Sequence, residues 1–199
     1  MDEQALVAAA RRGDVQAFNK LVLTYQTLAY NVAYRMVHNP DVAADMTQDA
    51  FISAFRAIKR FRGGSFKAWL LRIVTNACYD HFRSDKRHPT SSLDDILIDP
   101  DHSIITADHK ESAEARAIRQ DLGRAIQTRL DQLPPDQRIA VILSDVQGLC
   151  YEEIAQVTGV SLGTVKSRLS RGRARLRDYL QEDAELLPSR YRLTSSQTE

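Results

Sequence analysis

Basic side chains are concentrated in one short stretch near the end of the chain, "SLGTVKSRLSRGRARLRDYL" (residues 161–180). This stretch has no acidic side chain before Asp178, and its cations are Lys166, Arg168, Arg171, Arg173, Arg175 and Arg177. Guanidinium and ammonium groups bind the phosphates of nucleic acids, and an Arg or Lys placed on a guanine edge reads base sequence. The chemistry that these residues favour is therefore binding of a nucleic acid, with a solvated basic helix as the alternative.

Helical spacing divides this stretch into an inward face and an outward face. Apolar or small residues recur at intervals of four, three and four, at Val165, Leu169, Gly172 and Leu176, which is typical of the buried stripe of a helix. The side chains expected to reach base edges from the first turns are Lys166, Ser167, Ser170 and Arg171. Those around the rim, where contacts to phosphates fix orientation, are Arg168, Arg173 and Arg175.

The residues before this helix predict a helix-turn-helix. "YEEIAQVT" is a short helical segment, Gly159 marks a tight turn, and Ser161 is placed to cap the helix that follows. The small core shared by the two helices is expected to contain Ile154, Ala155, Val160, Val165 and Leu169. Since a helix-turn-helix inserts its second helix into the major groove, this half of the chain is predicted to bind duplex DNA.

The first half of the chain carries a second basic face. After the break "RGGS", apolar residues follow the i, i+3, i+4 rule from Phe66 to Cys78. The opposite side of the same predicted helix presents Arg72, Asn76, Tyr79 and Arg83, at spacings of four, three and four. Because a solvated helix face more often mixes positive and negative charges, this basic and partly aromatic face indicates a binding surface.

Helical periodicity extends over most of the chain on both sides of one irregular segment. Asp14 is placed to cap a long helix and Asp41 to cap the next, whose apolar side is expected to hold Ala44, Phe51, Ile52, Phe55 and Ile58. Glycine and proline together make up 14 of 199 residues, or 7%, below the usual level of about 12%. This composition favours helix over turn-rich architectures.

The irregular segment is also the acidic one. Residues 1–87 contain 13 basic and 8 acidic side chains, whereas residues 88–117 contain 2 basic and 7 acidic ones. Pro89 and Pro100 lie in this segment, which has no sustained apolar period. Residues 88–115 are therefore predicted to form a flexible acidic linker.

The predicted fold class is all-α, with two small helical domains joined by this linker. The first domain is expected to cover residues 1–87 and the second residues 116–181, with a tail of residues 182–199. The second domain is expected to be a helix-turn-helix of the winged-helix type without a wing.

The two helical blocks together resemble bacterial sigma factors of the extracytoplasmic-function type (group IV of the sigma-70 family). In the first block the matching stretch is "DVAADMTQDAFISAFRAIKRFRGGSFKAWLLRIVTNACYDHFR", and in the second it is "LPPDQRIAVILSDVQGLCYEEIAQVTGVSLGTVKSRLSRGRARL". The resemblance makes the first domain sigma region 2 and the second sigma region 4. It implies a cytoplasmic protein that binds core RNA polymerase and directs promoter-specific initiation.

The resemblance also assigns roles to individual residues. The loop "FRGGSF" and the face formed by Arg72, Asn76, Tyr79 and Arg83 would bind and open the −10 promoter element, which suits cationic and stacking groups. The outward residues of the second block would read the −35 element. The helix that docks on the coiled coil of the largest polymerase subunit would contribute Asp45, Gln48, Asp49, Phe51 and Phe55.

Two further partners follow from the resemblance. The acidic linker would lie extended in the basic product channel of the polymerase. An anti-sigma protein would hold the factor inactive, and two domains on a slack tether are also able to fold against each other and cover their DNA faces. No cofactor, metal site or membrane insertion is implied.

Two other functions compete with this interpretation. A helix-turn-helix regulator independent of polymerase would bind its operator alone, usually as a symmetric dimer, but the chain has no obvious dimerisation stripe. An enzyme would need a nucleophile–base pair, a phosphate loop or metal ligands at suitable spacing, and none stands out. Cys78 and Cys150 are too few for a zinc cluster, and Cys150 stands where a serine would cap the helix better.

Overall fold

The computed structural model describes residues 2–87 and 113–182, and within these ranges the regular structure is helical. The predicted linker (residues 88–115, apart from its last three positions) and the tail beyond residue 182 lie outside the described residues. A 3₁₀ turn at Ile58–Arg60 and a π-helical turn at Ile142–Val146 interrupt the α-helices. The α-helices are α1 (Glu3–Arg11), α2 (Val15–Val37), α3 (Pro40–Ala57), α4 (Phe66–Arg87), α5 (Ala113–Asp131), α6 (Pro135–Val141), α7 (Tyr151–Thr158) and α8 (Leu162–Glu182).

Side-chain caps fix where the helices of the first half begin. The Asp14 carboxylate accepts a hydrogen bond from the Ala17 amide at 3.0 Å, as predicted for α2. The predicted cap of α3 is wrong, because Asn39 rather than Asp41 accepts from the Val42 amide, at 3.0 Å. Pro40 has no N–H and is suited to the first helical position, which moves the cap one residue upstream of it and leaves Asp41 within the first turn.

The first half is a bundle in which α2, α3 and α4 pack against one another and α1 covers one end of α2. Its largest fully buried side chains are Leu21, Met36, Ile58, Phe66, Leu70 and Leu71. In the second half, α8 packs along α6 and α7 around Ile139, Ile142, Leu143 and Ile154, which are at most 2% exposed. The buried apolar residues of the two halves form one continuous cluster.

Gly172 lets α8 approach α6 closely. A Cβ at this position would lie 2.9 Å from Val141 Cγ2 and 3.4 Å from both Gln137 Cβ and the Gln137 carbonyl oxygen. A Cβ does not come within 2.9 Å of a non-bonded carbon atom, so a larger residue at position 172 must displace Val141 or one of the two helices.

We therefore expect Gly172→Ala to lower the free energy of unfolding by about 1–3 kcal/mol through overpacking. Gly163→Ala in the same helix is the matched control, because a Cβ there meets only Ser161 Oγ, at 3.9 Å. Since alanine favours helix over glycine, that variant should be as stable as the parent or more so. Urea denaturation followed by circular dichroism measures both, and equal stabilities of the two variants would contradict the close approach.

The two halves lie against each other in the structure. α4 packs on α7, and the C-terminal end of α2 packs on α5 and α6. We call the arrangement with these contacts the closed arrangement.

Candidate nucleic-acid interface

The helix-turn-helix forms as the sequence predicts. Gly159 ends α7 in the left-handed conformation (φ 70°), which costs glycine little. The Ser161 hydroxyl then caps α8 by accepting from the Thr164 amide at 3.2 Å. Between the two helices Ile154, Val165 and Leu169 are at most 1% exposed. The turn and the buried stripe therefore fix which side of α8 faces solvent.

The outward side of α8 carries the residues predicted to reach base edges. Lys166, Ser170 and Arg171 are exposed and Ser167 is half-buried. Arg171 folds back along the helix, where its Nε donates to the Ser167 carbonyl at 3.2 Å and its Nη2 donates to Ser167 Oγ at 3.1 Å. For Arg171 to contact a base, as the sequence predicts, these two hydrogen bonds to Ser167 must first break.

An open concavity of about 390 Å³ lies on this side of α8. Besides Lys166 and Ser170, it is lined by Tyr151 from α7 and by Arg177. The sequence pattern did not single out these last two as contact residues. Tyr151 lies on the preceding helix and is brought alongside α8 only by the helix-turn-helix packing.

Two of the three rim arginines are engaged in ion pairs within the second half. Arg173 Nε donates to Asp145 Oδ2 at 3.0 Å and its Nη2 donates to Ser144 Oγ at 3.1 Å, which ties α8 to the π-helical turn. Arg168 Nε lies 3.1 Å from Asp136 Oδ2 on α6. Arg175 is exposed. Arg168 and Arg173, which are predicted to contact phosphates, thus also have a structural role in these ion pairs.

The pairing predicts a stability effect at Arg173. Its hydrogen bond lowers the pKa of Asp145 below the ordinary value of 3.8, so the pair stabilises the fold above pH 4 and this contribution is lost as the pH falls through the depressed pKa. Both side chains are more than a third exposed, and we expect Arg173→Ala to cost no more than about 1 kcal/mol. Thermal denaturation measures the melting temperatures of the variant and the wild type at pH 7 and at pH 3. The difference between them should be smaller at pH 3. Arg175→Ala is the matched control and should leave the melting temperature unchanged at both.

The loop before α4 is a glycine turn anchored by aromatic rings. Gly63 and Gly64 have φ of 97° and 88°, a region that L-residues rarely adopt, and both are exposed. Behind them the ring centroids of Phe61 and Trp69 lie 5.1 Å apart, and those of Phe66 and Trp69 lie 5.6 Å apart. Ser65 caps α4 by accepting from the Ala68 amide at 3.1 Å. The loop is therefore held firmly at its base while its backbone remains open to a ligand.

The predicted face of α4 is only partly accessible in the closed arrangement. Arg72, Asn76 and Arg83 are exposed, and Arg83 pairs with the exposed Asp80 at 3.1 Å. Tyr79 is half-buried, and its pKa is raised by burial, while the charge of Arg168 from the second half acts in the opposite direction. The Arg72 guanidinium lies so close to the Gly159 turn that a Cβ there would be 3.5 Å from its Nη2.

The face of α3 predicted to dock on polymerase is exposed at four of its five positions. Asp45, Gln48 and Asp49 are exposed, and Phe55 is 43% exposed with its ring edge against Phe18. Phe51 is only 8% exposed and lies in the core of the first half, so it is placed to support this face rather than to contact a partner. Ile52, expected on the buried side, is 39% exposed and adds apolar area beside Phe55.

The cysteines differ in environment. Burial raises the pKa of the Cys78 thiol to about 12, and its sulfur lies 4.0 Å from that of Met46. Cys150 is exposed, and the Glu153 carboxylate accepts from its backbone amide at 2.9 Å, which supplies a cap at the start of α7. Within residues 2–87 and 113–182, no three acidic, histidine or cysteine side chains gather as metal ligands, and no helix is long and apolar enough to cross a membrane.

Two family models match the chain in the order of its two halves. The model described as sigma-70 region 2 matches residues 21–88, and the model described as sigma-70 region 4 matches residues 123–176. The first match contains α3, the glycine loop and the basic face of α4. The second contains the helix-turn-helix.

Curated relatives match over most of the chain. The ECF RNA polymerase sigma factor SigE of Mycolicibacterium smegmatis is 39% identical over 87% of this chain, a match that spans 65% of SigE. The RNA polymerase sigma-H factor of Pseudomonas aeruginosa is 38% identical over 90% of this chain and 94% of that protein. The ECF RNA polymerase sigma-E factor of Escherichia coli is 36% identical over 87% of this chain and 91% of its own.

Solved structures with the same fold include two complexes. CnrH, solved with the cytosolic domain of CnrY, has a TM-score of 0.68 and 27% identity, and the match covers 92% of this chain and 99% of CnrH. The sigma factor RpoE of Bartonella quintana, solved with the anti-sigma factor NepR, has a TM-score of 0.65 and 30% identity, and the match covers 85% of this chain and 99% of RpoE.

Proposed function

The chain belongs to the extracytoplasmic-function (ECF) sigma factors, and from this premise we propose that it binds core RNA polymerase and directs initiation at promoters with distinct −35 and −10 elements. Members of this family are transcription initiation factors and not enzymes. The proposal places the activity in the cytoplasm, where the polymerase and the chromosome are.

The observation that carries the proposal is the presence of two different cationic surfaces on one chain. The α8 surface follows a capped helix-turn-helix and suits the major groove of intact duplex, because Lys166, Ser170 and Arg171 project from its first turns. The α4 surface adjoins a glycine loop and includes Tyr79, and it suits an opened strand, which takes cationic and stacking groups. We assign the −35 element to the first surface and the −10 element to the second.

The exposed acidic and apolar face of α3 is proposed as the polymerase contact. Its carboxylates, Asp45 and Asp49, flank Gln48, and Phe55 with Ile52 supplies an apolar centre. Charged groups around an apolar patch are the usual anatomy of a protein–protein interface. The coiled coil of the largest polymerase subunit is the proposed partner of this face.

Run-off transcription tests the function. Purified chain is added to core polymerase with fragments of the genome that encodes it, and we expect discrete transcripts that core polymerase alone does not make. A gel shift run in parallel separates the rival function: a polymerase-independent regulator binds its operator without core enzyme, whereas a sigma factor gives tight, strand-opening binding only with it. Absence of any new transcript together with tight binding by the free chain would replace our proposal with the regulator.

We also propose that an anti-sigma protein controls this factor. The supporting observation is that CnrH and RpoE, which share its fold, were each solved bound to a second protein, named an anti-sigma factor in the case of NepR. The acidic linker, which lies outside the described residues, is proposed to occupy the product channel of polymerase.

A further inference from the structure

The second half caps the end of a helix that belongs to the first half. The last turn of any α-helix leaves carbonyl groups without partners in the helix. At the end of α2, the Arg35 carbonyl accepts from Gln127 Nε2 of α5 at 3.1 Å, and the Met36 carbonyl accepts from Arg138 Nη1 of α6. These bonds exist only in the closed arrangement.

Arg138 is the buried centre of this joint. It is 7% exposed, and besides Met36 its guanidinium donates to the carbonyls of Asp131 and Leu133, while its charge lies over the Phe82 ring of α4 at 5.6 Å. A buried charge needs this degree of pairing. When the halves separate, Arg138 loses the Met36 carbonyl and the Phe82 ring together.

At this joint the first half contributes a histidine, a side chain whose charge changes near neutral pH. His38 is the C-cap of α2, with a left-handed backbone (φ 52°), and its Nδ1 lies 2.6 Å from Asp131 Oδ2 on α5. The other carboxylate oxygen of Asp131 accepts from Gln127 Nε2 at 3.0 Å and lies 3.4 Å from Arg138 Nη1. A positive charge on His38 is also favoured by the helix dipole of α2, because the residue lies at the C-terminal end.

We propose that His38 and Asp131 form a pH-dependent latch that holds the two halves of this sigma factor in the closed arrangement. With His38 protonated, its charge-assisted bond to Asp131 joins α2 to α5 beside the two carbonyl caps. When His38 is neutral, the ionic attraction between His38 and Asp131 is lost. The halves are then held together by the helix contacts and the two carbonyl caps.

The charges around His38 determine the direction of the response. The hydrogen bond that His38 donates to the Asp131 carboxylate raises the pKa of His38 above the ordinary value of 6.5, while burial and the charge of Arg138 on α6 oppose this rise. From α2 itself the ring of Tyr34 lies against the imidazole, with centroids 5.8 Å apart. The contribution of the pair to closure is therefore complete below pH 6.5 and is lost as the pH rises through the raised pKa.

Opening would uncover a surface that the proposed function uses. In the closed arrangement Tyr79 of α4 is half-buried, and Arg72 lies against the Gly159 turn of the helix-turn-helix. This consequence rests on the assignment of the α4 surface to the −10 element. The latch itself does not depend on that assignment, because the two halves close on each other without DNA or polymerase.

Energy transfer between two dyes on the full-length chain tests the latch without polymerase or DNA. One dye is attached to the exposed Cys150 and the other to a cysteine introduced at exposed Ser53, while buried Cys78 stays unlabelled. We expect the closed-to-open ratio of the wild type to fall several-fold between pH 6 and pH 8. A tenfold fall would correspond to His38 pKa values that differ by about one between the two arrangements.

The variants are chosen so that the fold survives. Asparagine accepts the left-handed backbone required at position 38, and His38→Asn should make the closed-to-open ratio independent of pH in this range. Asp131→Asn should do the same by neutralising the partner; because it also removes the charge partner of the buried Arg138, circular dichroism checks that this variant is folded. His81→Gln, which replaces the other histidine in the described part of the chain, and Asp178→Asn, an exposed acid on α8, should both keep the wild-type curve.

A wild-type ratio that does not change with pH, or a His38→Asn curve that follows the wild type, would overturn the latch. Either result would leave the run-off experiment unaffected. Conversely, a chain that fails to direct initiation but opens with rising pH would keep the latch and remove the proposed function.

Discussion

Arg171→Ala is expected to reduce initiation at the cognate promoter by about ten- to a hundredfold, because a bidentate contact between Arg and guanine contributes about 1–3 kcal/mol of discrimination. Arg171 is exposed on the first turns of α8, and within residues 2–87 and 113–182 its hydrogen bonds go to Ser167 of the same helix. Because these bonds do not join α8 to another helix, removal of the side chain should leave the melting temperature unchanged.

The measurement is abortive or run-off transcription from the cognate promoter and from a variant whose −35 element is altered base by base. Arg171→Ala should lose the wild-type preference at one base position. Arg171→Lys keeps the charge but not the planar fork, so most of the loss in preference should persist.

Arg175→Ala is the matched control for this experiment. Arg175 is exposed on the rim of the same helix, and its loss should weaken binding equally on all sequences and reduce the log–log salt slope by about 0.9. If Arg171→Ala also weakened all sequences alike, the assignment of Arg171 to a base edge would be wrong.

Asp49→Lys is expected to weaken binding to core polymerase by about thirtyfold or more, since opposing like charges across an interface cost several kcal/mol. Asp49 is exposed in the middle of α3, one turn before Ile52, which is 39% exposed. Phe55→Ala tests the apolar part of the same face, and we expect a loss of about tenfold from it.

Binding is measured by fluorescence anisotropy of the labelled chain titrated with core enzyme. Asp121→Lys is the control, because Asp121 is an exposed acid on α5 that forms an ion pair with Arg124 of the same helix. Wild-type affinity in both Asp49→Lys and Phe55→Ala, with the fold intact by circular dichroism, would exclude α3 as the docking face. An equal loss in Asp121→Lys would show that overall charge, not this face, controls binding.

Local sequence signals were reliable where their cause is local. The Asp14 and Ser161 caps and the buried Val165–Leu169 stripe all depend on residues within four positions of each other, which a helix brings together whatever surrounds it. The prediction that Asp41 caps α3 was wrong for an equally local reason. Pro40 takes the first helical position, and Asn39 before it has the side chain that accepts the Val42 amide.

Apolar spacing alone did not separate buried from exposed positions on α3. Phe51 and Phe55 lie on one side of the helix by sequence, but Phe51 is 8% exposed and Phe55 is 43% exposed. The difference depends on which part of α3 is covered by its neighbours α2 and α4. The periodicity of a single helix does not show how its neighbours pack along it.

The sequence by itself determined the helical class, the helix-turn-helix, the two basic faces and the resemblance to sigma factors, because these follow from spacings of three and four residues and from composition. The tertiary structure decided which charges are paired and how the halves meet. Arg173 finds Asp145 from 28 positions away, and Arg138 reaches the Met36 carbonyl from 102 positions away. Such partners are brought together by the packing of whole helices. The spacing of residues within one helix carries no information about contacts between residues so far apart in sequence.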